Sequence, residues 1–212
     1  MKTQISKMLK LSSPKVIAMY EGVYELMKEG RDPYTLKVYD ITAKAGIGKG
    51  TAYEYFETKE ELVGKAVFYQ LATGFLGMMG KVKEAGSFRE KLDSLLDDLE
   101  ENREQRCLLT RCLCYYTQGL FGGTDFIRRI QECSHGNEEL KHFVEDLLEA
   151  ASRDGIKTEG VPLHFAVNAV ITQAMGYLMY LENLAGAKEI QRSRMRDFAY
   201  ENICRILEEG RA

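Results

Sequence analysis

Apolar residues recur every three or four positions along most of this chain, which is the spacing of an amphipathic α-helix. In the first such stretch, Ser13 can cap a helix, Pro14 suits its first position, and Gly30 can end it. Similar apolar stripes occupy residues 87–104, 137–155, 162–184 and 188–210. The sequence has no run that alternates as a strand would, so it predicts an all-α protein of about nine helices.

The composition suits a soluble globular protein. Of its 212 residues, 45% are hydrophobic, which is enough to bury a core. The longest apolar stretch, residues 165–181, is interrupted by polar side chains, and residues 1–13 lack the apolar core of a signal peptide. The five cysteines fit neither a disulfide framework nor CxxC metal ligation. We therefore expect a cytoplasmic protein without a membrane segment.

Residues 35–65 carry the most specific pattern in the chain. Val38, Ile41 and Ala45 recur at helical spacing, and the next residue, Gly46, supplies the positive φ that can end a helix. A second short helix is predicted over residues 48–56. Two short helices joined by a glycine turn form a helix-turn-helix, whose second helix enters the major groove of DNA. The turn alone would also fit an ordinary helical hairpin with a polar outer face.

The charge distribution is uneven along the sequence. Residues 1–50 hold nine Lys and Arg against five Asp and Glu, giving +4, and the remaining residues hold 20 against 27, giving −7, which together make the net charge of −3. This asymmetry favours a small head that binds a polyanion on a larger acidic body. A solvated surface without a partner is the alternative.

The string DITAKAGIGKGTAYEYFETKEEL, residues 40–62, resembles the DNA-binding signature of the tetracycline-repressor (TetR) family. The matching elements, in family order and spacing, are Ile41, with Thr42 where alanine is usual, Ala45-Gly46, Lys49-Gly50-Thr51, Tyr53 with Phe56, and Thr58-Lys59-Glu60 with Leu62. The resemblance covers residues 14 to about 65 in detail, and beyond them only the number and order of helices agree. It implies a DNA-binding head and a helical body that binds an effector and dimerises.

The resemblance also implies a set of DNA contacts. Groove or phosphate contacts are implied for Lys49, Gly50, Thr51, Tyr53 and Tyr55, and a backbone contact for Lys59. These residue types suit the task, because lysine adds charge, glycine lets the backbone approach the duplex, threonine can bind bases, and tyrosine can reach phosphates. Thr58 is the expected N-cap of the following helix, with Glu61 placed to complete a capping box.

Some positions depart from the family pattern. The connection after the first helix is longer than usual, and Lys37 stands where a capping threonine is frequent. The phosphate contact expected there can come from Thr35, Lys37 or Tyr34. Glu54 and Glu57 replace residues that are commonly tyrosine and basic, and we expect them to point away from DNA or at cytosine amino groups.

The helix that follows the DNA-binding head is predicted from Lys59 to about Val82 and contains Gly74, Gly77 and Gly80. An interior glycine costs a helix roughly 1 kcal/mol relative to alanine, so we expect a compensating gain. Two explanations compete. The glycines either allow close helix packing on one face or let the helix bend or end near a ligand cavity, and in the family this helix links ligand to DNA head.

The resemblance implies a cavity for a small-molecule effector in the body. The methionine and aromatic residues expected to line it are Met78, Met79, Tyr115, Tyr116, Phe121, Met175, Tyr177 and Met179, with Tyr180 beside them. Methionine suits such linings because it adapts to varied apolar ligands. Each of these residues also fits an ordinary helical core.

Other chemistries have weaker support. Cys107 and Cys114 are seven residues apart and so lie on the same helical face, which suggests a thiol sensor. Buried cysteine is, however, commonly just a small hydrophobe. The histidines His135, His142 and His164 do not have metal-site spacing, and no nucleophile elbow, phosphate loop or HExxH occurs. We expect no metal, no cofactor and no enzymatic activity.

The last two predicted helices resemble the dimerisation pair of the family. The small residues that would let helices approach closely are Ala166, Ala169, Val170, Ala174 and Gly176, and the apolar face of the last helix is Phe198, Ile203, Ile206 and Leu207. Packing within one chain is the alternative.

The sequence therefore predicts a homodimeric transcriptional regulator. Residues 1–62 form its helix-turn-helix domain and residues 63–212 its effector-binding and dimerisation domain. We expect a repressor that a small molecule releases from a palindromic double-stranded operator. The alternatives are a DNA-bound architectural protein controlled by a protein partner, and an activator of the same fold.

Overall fold

The computed structural model describes residues 13–33, 35–102, 106, 110, 138–183 and 189–210. These residues form eight α-helices and no strand, which confirms the all-helical prediction for this part of the chain. The helices are α1 (Pro14–Lys28), α2 (Val38–Lys44), α3 (Lys49–Tyr55), α4 (Lys59–Glu84), α5 (Phe88–Glu101), α6 (Glu138–Arg153), α7 (Leu163–Asn183) and α8 (Glu189–Glu209).

The described residues fall into two compact units, which divide inside α4 between Phe75 and Leu76. The N-terminal unit contains α1, α2, α3 and the first part of α4. The C-terminal unit contains the rest of α4 with α5 to α8. The functional boundary after residue 62 stays a prediction.

Both ends of α1 lie where the sequence predicts them. The Ser13 hydroxyl accepts a hydrogen bond from the backbone N–H of Val16 at 3.3 Å, and Pro14 opens the helix. At the other end, Gly30 has a φ of 86°, a left-handed conformation that favours glycine. Capping by Ser13 and termination at Gly30 are therefore confirmed.

The core of the N-terminal unit lies between α1, α2 and the start of α4. Met19, Ile41 and Leu62 supply one fully buried side chain from each of these helices. The ring of Tyr20 in α1 lies 6.0 Å from the ring of Phe56, which directly follows α3. This apolar contact fixes the chain at the point where α3 ends.

The core of the C-terminal unit joins α5, α6, α7 and α8. Its buried side chains include Phe88 and Leu96 of α5, Tyr177 of α7, and Ile203 and Leu207 of α8. Burying large apolar side chains of this kind contributes about 1.5–3 kcal/mol each. The apolar stripes seen in the sequence therefore face one another here.

The charged side chain of Lys91 lies almost fully buried in the C-terminal unit. Lys91 of α5 is 1% exposed, and its Nζ donates to a carboxylate oxygen of Asp146 at 2.8 Å and to the carbonyl oxygen of Val82 at 3.2 Å. A buried ammonium group needs such partners because burial removes its water. Lys91 thereby holds the last turn of α4 to α5 and α6.

Helix α4 ends at Glu84, close to the predicted end near Val82. Gly77 and Gly80 are exposed, and a Cβ atom built on either meets no heavy atom of the described chain within 4 Å. Close packing against the described residues therefore does not explain these two glycines. A bend or an end near a ligand cavity remains a prediction.

Helix α4 is also the one described helix that is long and apolar enough to cross a membrane by length and composition. Length and composition alone do not assign a membrane span, because the core helix of a soluble protein passes the same test. Its buried residues Leu62, Ala66 and Val67 pack in the N-terminal unit, as a core helix requires.

Candidate nucleic-acid interface

A glycine turn joins α2 to α3. Gly46 has a φ of 67°, and its N–H donates to the carbonyl of Ala43 at 3.2 Å, while the N–H of Ile47 donates to the carbonyl of Thr42 at 2.8 Å. This pair of bonds is the Schellman motif, which ends a helix with a left-handed residue. Helix α3 then begins at Lys49, so the predicted helix-turn-helix is present.

The inner side of the helix-turn-helix is anchored by buried residues. Ala52 in α3 is 2% exposed and Phe56 is 5% exposed, whereas Ile47 is only half-buried. Thr42, which replaces the usual alanine, is buried, and its hydroxyl donates to the carbonyl oxygen of Val38 at 2.9 Å. That bond satisfies the hydroxyl inside α2, so the departure from the family pattern carries no unpaired polar group.

The opposite side of α3 faces away from this core. Lys49 and Gly50 are exposed, and the side chains of Tyr53 and Tyr55 are 55% and 39% exposed. Thr51 is partly exposed on the first turn. Exposed tyrosines suit a binding surface, because each offers an apolar ring together with a hydroxyl group. The lysine charge, the hydroxyl groups and the accessible backbone of Gly50 thus lie on one outward face of α3.

The cations of the N-terminal unit differ in whether a carboxylate neutralises them. Arg31 pairs with Asp40 at 2.7 Å, and Lys44 also has a carboxylate partner. Lys37 and Lys49 have no carboxylate partner among the described residues. These two lysines are therefore available to phosphate, which binds proteins chiefly through Lys and Arg.

The start of α4 is capped as predicted. The Thr58 hydroxyl accepts from the N–H of Glu61 at 3.0 Å, and the Glu61 carboxylate accepts from the N–H of Glu57 at 2.8 Å, one residue before the cap. Lys59 occupies the first position of α4, partly exposed, with its Nζ 3.4 Å from a carboxylate oxygen of Glu60. A surface pair of this kind is weak, so Lys59 can exchange Glu60 for a phosphate.

The phosphate contacts predicted before α2 lie in the exposed segment that leads into this helix. Thr35 is exposed, and its hydroxyl donates to the carbonyl oxygen of Asp32 at 3.0 Å. Lys37 is the residue that precedes α2, and its side chain does not cap the helix. Tyr34 lies outside the described residues. Glu54 and Glu57 are exposed.

Sequence reasoning missed one candidate contact in α2. Tyr39 is 65% exposed, although tyrosine is normally mostly buried. The signal was available, because burying Val38, Ile41 and Thr42 on one face of a short helix leaves Tyr39 on the other. Its phenol can donate to a phosphate or contact a base edge.

The segment that carries these features matches a known sequence family. The family described as "Bacterial regulatory proteins, tetR family" matches residues 29–66, which contain α2, the turn at Gly46, α3 and the capped start of α4. Residues 29–66 therefore form a tetR-family DNA-binding domain, the part of a transcriptional regulator that binds DNA. A comparison with curated proteins gives no sequence match.

Several solved structures share the fold over nearly the whole chain. A transcriptional regulator from Pseudomonas aeruginosa PAO1 has a TM-score of 0.68 and 18% identity, covering 96% of this chain and 98% of its own. A TetR transcription regulator from Haloarcula marismortui ATCC 43049 has a TM-score of 0.57 and 16% identity, covering 89% and 96%. FadR from Bacillus subtilis, solved with stearoyl-CoA, has a TM-score of 0.54 and 17% identity, covering 92% and 98%.

The predicted effector residues lie in different environments. Met78, Met79 and Met175 are half-buried, Tyr177 is 1% exposed, and Met179 is 48% exposed. The remaining three predicted residues, Tyr115, Tyr116 and Phe121, lie outside the described residues, as do Cys107 and Cys114. The lining of a cavity therefore stays a prediction.

Tyr177 belongs to a polar cluster in the C-terminal unit. Its hydroxyl donates to the carboxylate of Glu100, which also accepts from Arg196 at 2.8 Å. Burial and the bond to Glu100 raise the pKa of Tyr177 to about 12. Burial also raises the pKa of Glu100, but the hydrogen bonds from Tyr177 and Arg196 outweigh it, so its net pKa is lowered. Glu100 is therefore a carboxylate at neutral pH.

Two further chemistries considered from the sequence are a metal site and a thiol sensor. Among the described residues, no group of three or more His, Cys, Asp or Glu side chains is arranged to hold a metal ion. His142 instead lies 3.1 Å from Glu145 on the surface of α6. Burial raises the pKa of the Cys204 thiol, which makes it less reactive.

Proposed function

We propose that this chain is a homodimeric repressor that binds a palindromic operator and releases it when a small molecule enters the body. Residues 1–62 would read DNA, and residues 63–212 would bind the effector and form the dimer. The chain would act in the cytoplasm as a transcription factor and not as an enzyme.

The observation that carries the DNA-binding part is the outward face of α3. The turn at Gly46 and the buried Phe56 fix this helix, while Lys49 and Tyr53 stay exposed and have no carboxylate partner among the described residues. A short helix presented in this way suits the major groove, where its first residues meet base edges. Lys59 and Lys37 would add phosphate contacts that fix the register.

Exposed apolar residues on α7 and α8 support the dimer. Ile171 and Met179 of α7 are 50% and 48% exposed, and Phe198 of α8 is 55% exposed. Gly176 is exposed on α7 as well, where a second helix could approach closely. A second copy packed on these helices as a four-helix bundle would remove this surface from water.

The effector part rests on the half-buried methionines and on α4. Met78 and Met79 lie on α4 and pack against the core of the C-terminal unit. The same helix begins at Lys59, shortly after α3 ends in the sequence, and Thr58 caps it. A ligand that shifts α4 would therefore move the DNA-binding unit. Stearoyl-CoA, which the Bacillus subtilis neighbour binds, is a reasonable first probe.

Two other functions keep the same DNA-binding unit. A DNA-bound architectural protein controlled by a protein partner would bind the operator with no response to small molecules. An activator would bind DNA and raise transcription. A transcription assay with the purified chain separates both from a ligand-released repressor, because the repressor lowers transcription and loses its operator when the effector is added.

Selection of duplexes from a random DNA pool tests this function, with light scattering of the free protein beside it. We expect a dimer at micromolar concentration and enrichment of a palindrome whose half-sites are about 34–36 Å apart, or a multiple of that spacing. A monomer that still binds DNA specifically would contradict the dimer. Enrichment of no sequence would contradict the regulator.

A further inference from the structure

A tyrosine hydroxyl in the C-terminal unit has no hydrogen-bond partner among the described residues. The Oη atom of Tyr180 in α7 is buried, and no described residue donates to it or accepts from it. Native proteins pair the large majority of buried polar atoms, and an unpaired one costs about 1–3 kcal/mol. An unpaired hydroxyl in an effector-binding unit therefore needs an explanation.

The polar cluster that contains the neighbouring Tyr177 is already committed to internal partners. Tyr177, one turn earlier, has its ring 5.9 Å from that of Tyr180, but its hydroxyl donates to Glu100. Arg196 binds Glu100 and Asp97. These groups satisfy one another, so none of them is left to pair with the Tyr180 hydroxyl.

Tyr180 packs against the apolar core of the C-terminal unit, as do Met78 and Met79 of α4 and Leu181 of its own helix. A charged ligand group in such a place would need an uncommitted counter-ion, whereas Arg196 and Glu100 already neutralise each other. A neutral oxygen acceptor, such as a ketone or ester carbonyl, needs only a hydroxyl donor.

We propose that the Tyr180 hydroxyl is the polar anchor of the effector, donating a hydrogen bond to a neutral carbonyl oxygen on an otherwise apolar small molecule. This inference rests on the proposed function, since it names the chemistry that the effector site recognises. Tyr177 serves the structure through its bond to Glu100, and among the described residues only the Tyr180 side chain has a buried polar atom without a partner.

The first experiment compares two matched variants of the full chain without added ligand. In Tyr180→Phe the unpaired hydroxyl is gone, so we expect the Tm to rise by about 2–4 °C. In Tyr177→Phe the bond to Glu100 is lost, so we expect the Tm to fall by a similar amount. A fall in the Tm of Tyr180→Phe would mean that its hydroxyl is already satisfied, which would overturn the proposal.

The second experiment measures binding of neutral carbonyl probes by calorimetry. The probes are 2-undecanone, methyl decanoate and benzophenone, with undecane as the control that lacks an acceptor. We expect at least one carbonyl probe to bind the wild type and to bind Tyr180→Phe about tenfold more weakly. Undecane should bind both proteins alike. Equal binding of the carbonyl probe by both proteins, or no binding by the wild type, would overturn the proposal.

A DNA measurement separates this inference from the proposed function. If a carbonyl probe binds through Tyr180 but leaves operator affinity unchanged, release by ligand fails while the anchor stands. If operator is released equally well from the wild type and Tyr180→Phe, the anchor fails while the ligand-released repressor stands.

Discussion

The carbonyl oxygen of Ile41 in α2 lies 3.0 Å from the position that a Cβ atom would take on Gly22 in α1. That distance is tighter than nearly all real Cβ contacts, and the atom met is backbone, which cannot move without moving α2. Gly22 is therefore a point of close packing between α1 and α2. The helix-turn-helix depends on this contact because α2 forms its first half.

The Gly22 contact predicts opposite effects for two glycine-to-alanine changes. Gly64→Ala in α4, where a Cβ meets nothing within 4 Å, should raise the free energy of unfolding by about 1 kcal/mol through helix propensity. Gly22→Ala should lower it by about 1 kcal/mol, because overpacking outweighs the same gain. Urea unfolding measures both, and an equal rise in both variants would contradict the close contact.

The start of α4 predicts a contact that is independent of DNA sequence. Because Lys59 lies at the first position of α4 beside a weak surface partner, Lys59→Ala should weaken binding to all duplexes alike and lower the salt slope by about one unit. Affinities for operator and random DNA across a salt series provide the measurement. A loss confined to the operator would instead assign Lys59 to base reading.

The Glu100 cluster predicts a dependence of stability on pH. The folded pKa of Glu100 lies below its ordinary value of 4.5, so its contribution is present above that pH and is lost as the pH falls through the folded pKa. Wild-type stability should therefore fall more steeply below about pH 4.5 than that of Glu100→Gln. Glu101→Gln, an exposed carboxylate on the same helix, is the control and should follow the wild type.

The exposed glycines of α4 predict a change in regulation. Gly77→Ala should stabilise the helix by up to about 1 kcal/mol, since nothing described lies within 4 Å of the added methyl group. If α4 bends when ligand binds, this variant should change the coupling between ligand and operator, typically about 1–3 kcal/mol, and leave dimerisation intact. Operator affinity with and without effector gives the coupling. Identical coupling in both proteins would mean that α4 acts without bending at Gly77.

The local signals in the sequence were sufficient for the DNA-binding unit. A capping serine at residue 13, a positive-φ glycine at residue 46 and Thr58 before α4 each act over one helical turn, so their effects can be read without knowing the fold. Phe56 belongs to the family signature in the same stretch, and it is buried where α3 ends. The exposure of Tyr39 followed as well once the buried face of α2 was known.

The C-terminal unit was less predictable because its polar contacts join residues far apart in sequence. Lys91 reaches Asp146 across 55 positions, and Tyr177 reaches Glu100 across 77. No local pattern encodes such pairs. For the same reason, Tyr177 and Tyr180 look equivalent in sequence. Only the hydroxyl of Tyr177 has a hydrogen-bond partner among the described residues.

The most direct test of the central claim is operator affinity at physiological salt after single changes on the outward face of α3. Fluorescence anisotropy on the selected palindrome would compare the wild type with Lys49→Ala, Thr51→Ala and Tyr53→Phe, with Lys157→Ala as an exposed lysine control in the C-terminal unit. We expect the two α3 alanine variants to lose about 1–3 kcal/mol and change base preference at particular positions. Tyr53→Phe should lose one phosphate bond, and the control should bind normally. Unchanged operator affinity in all three α3 variants would contradict the assignment of α3 as the helix that reads DNA.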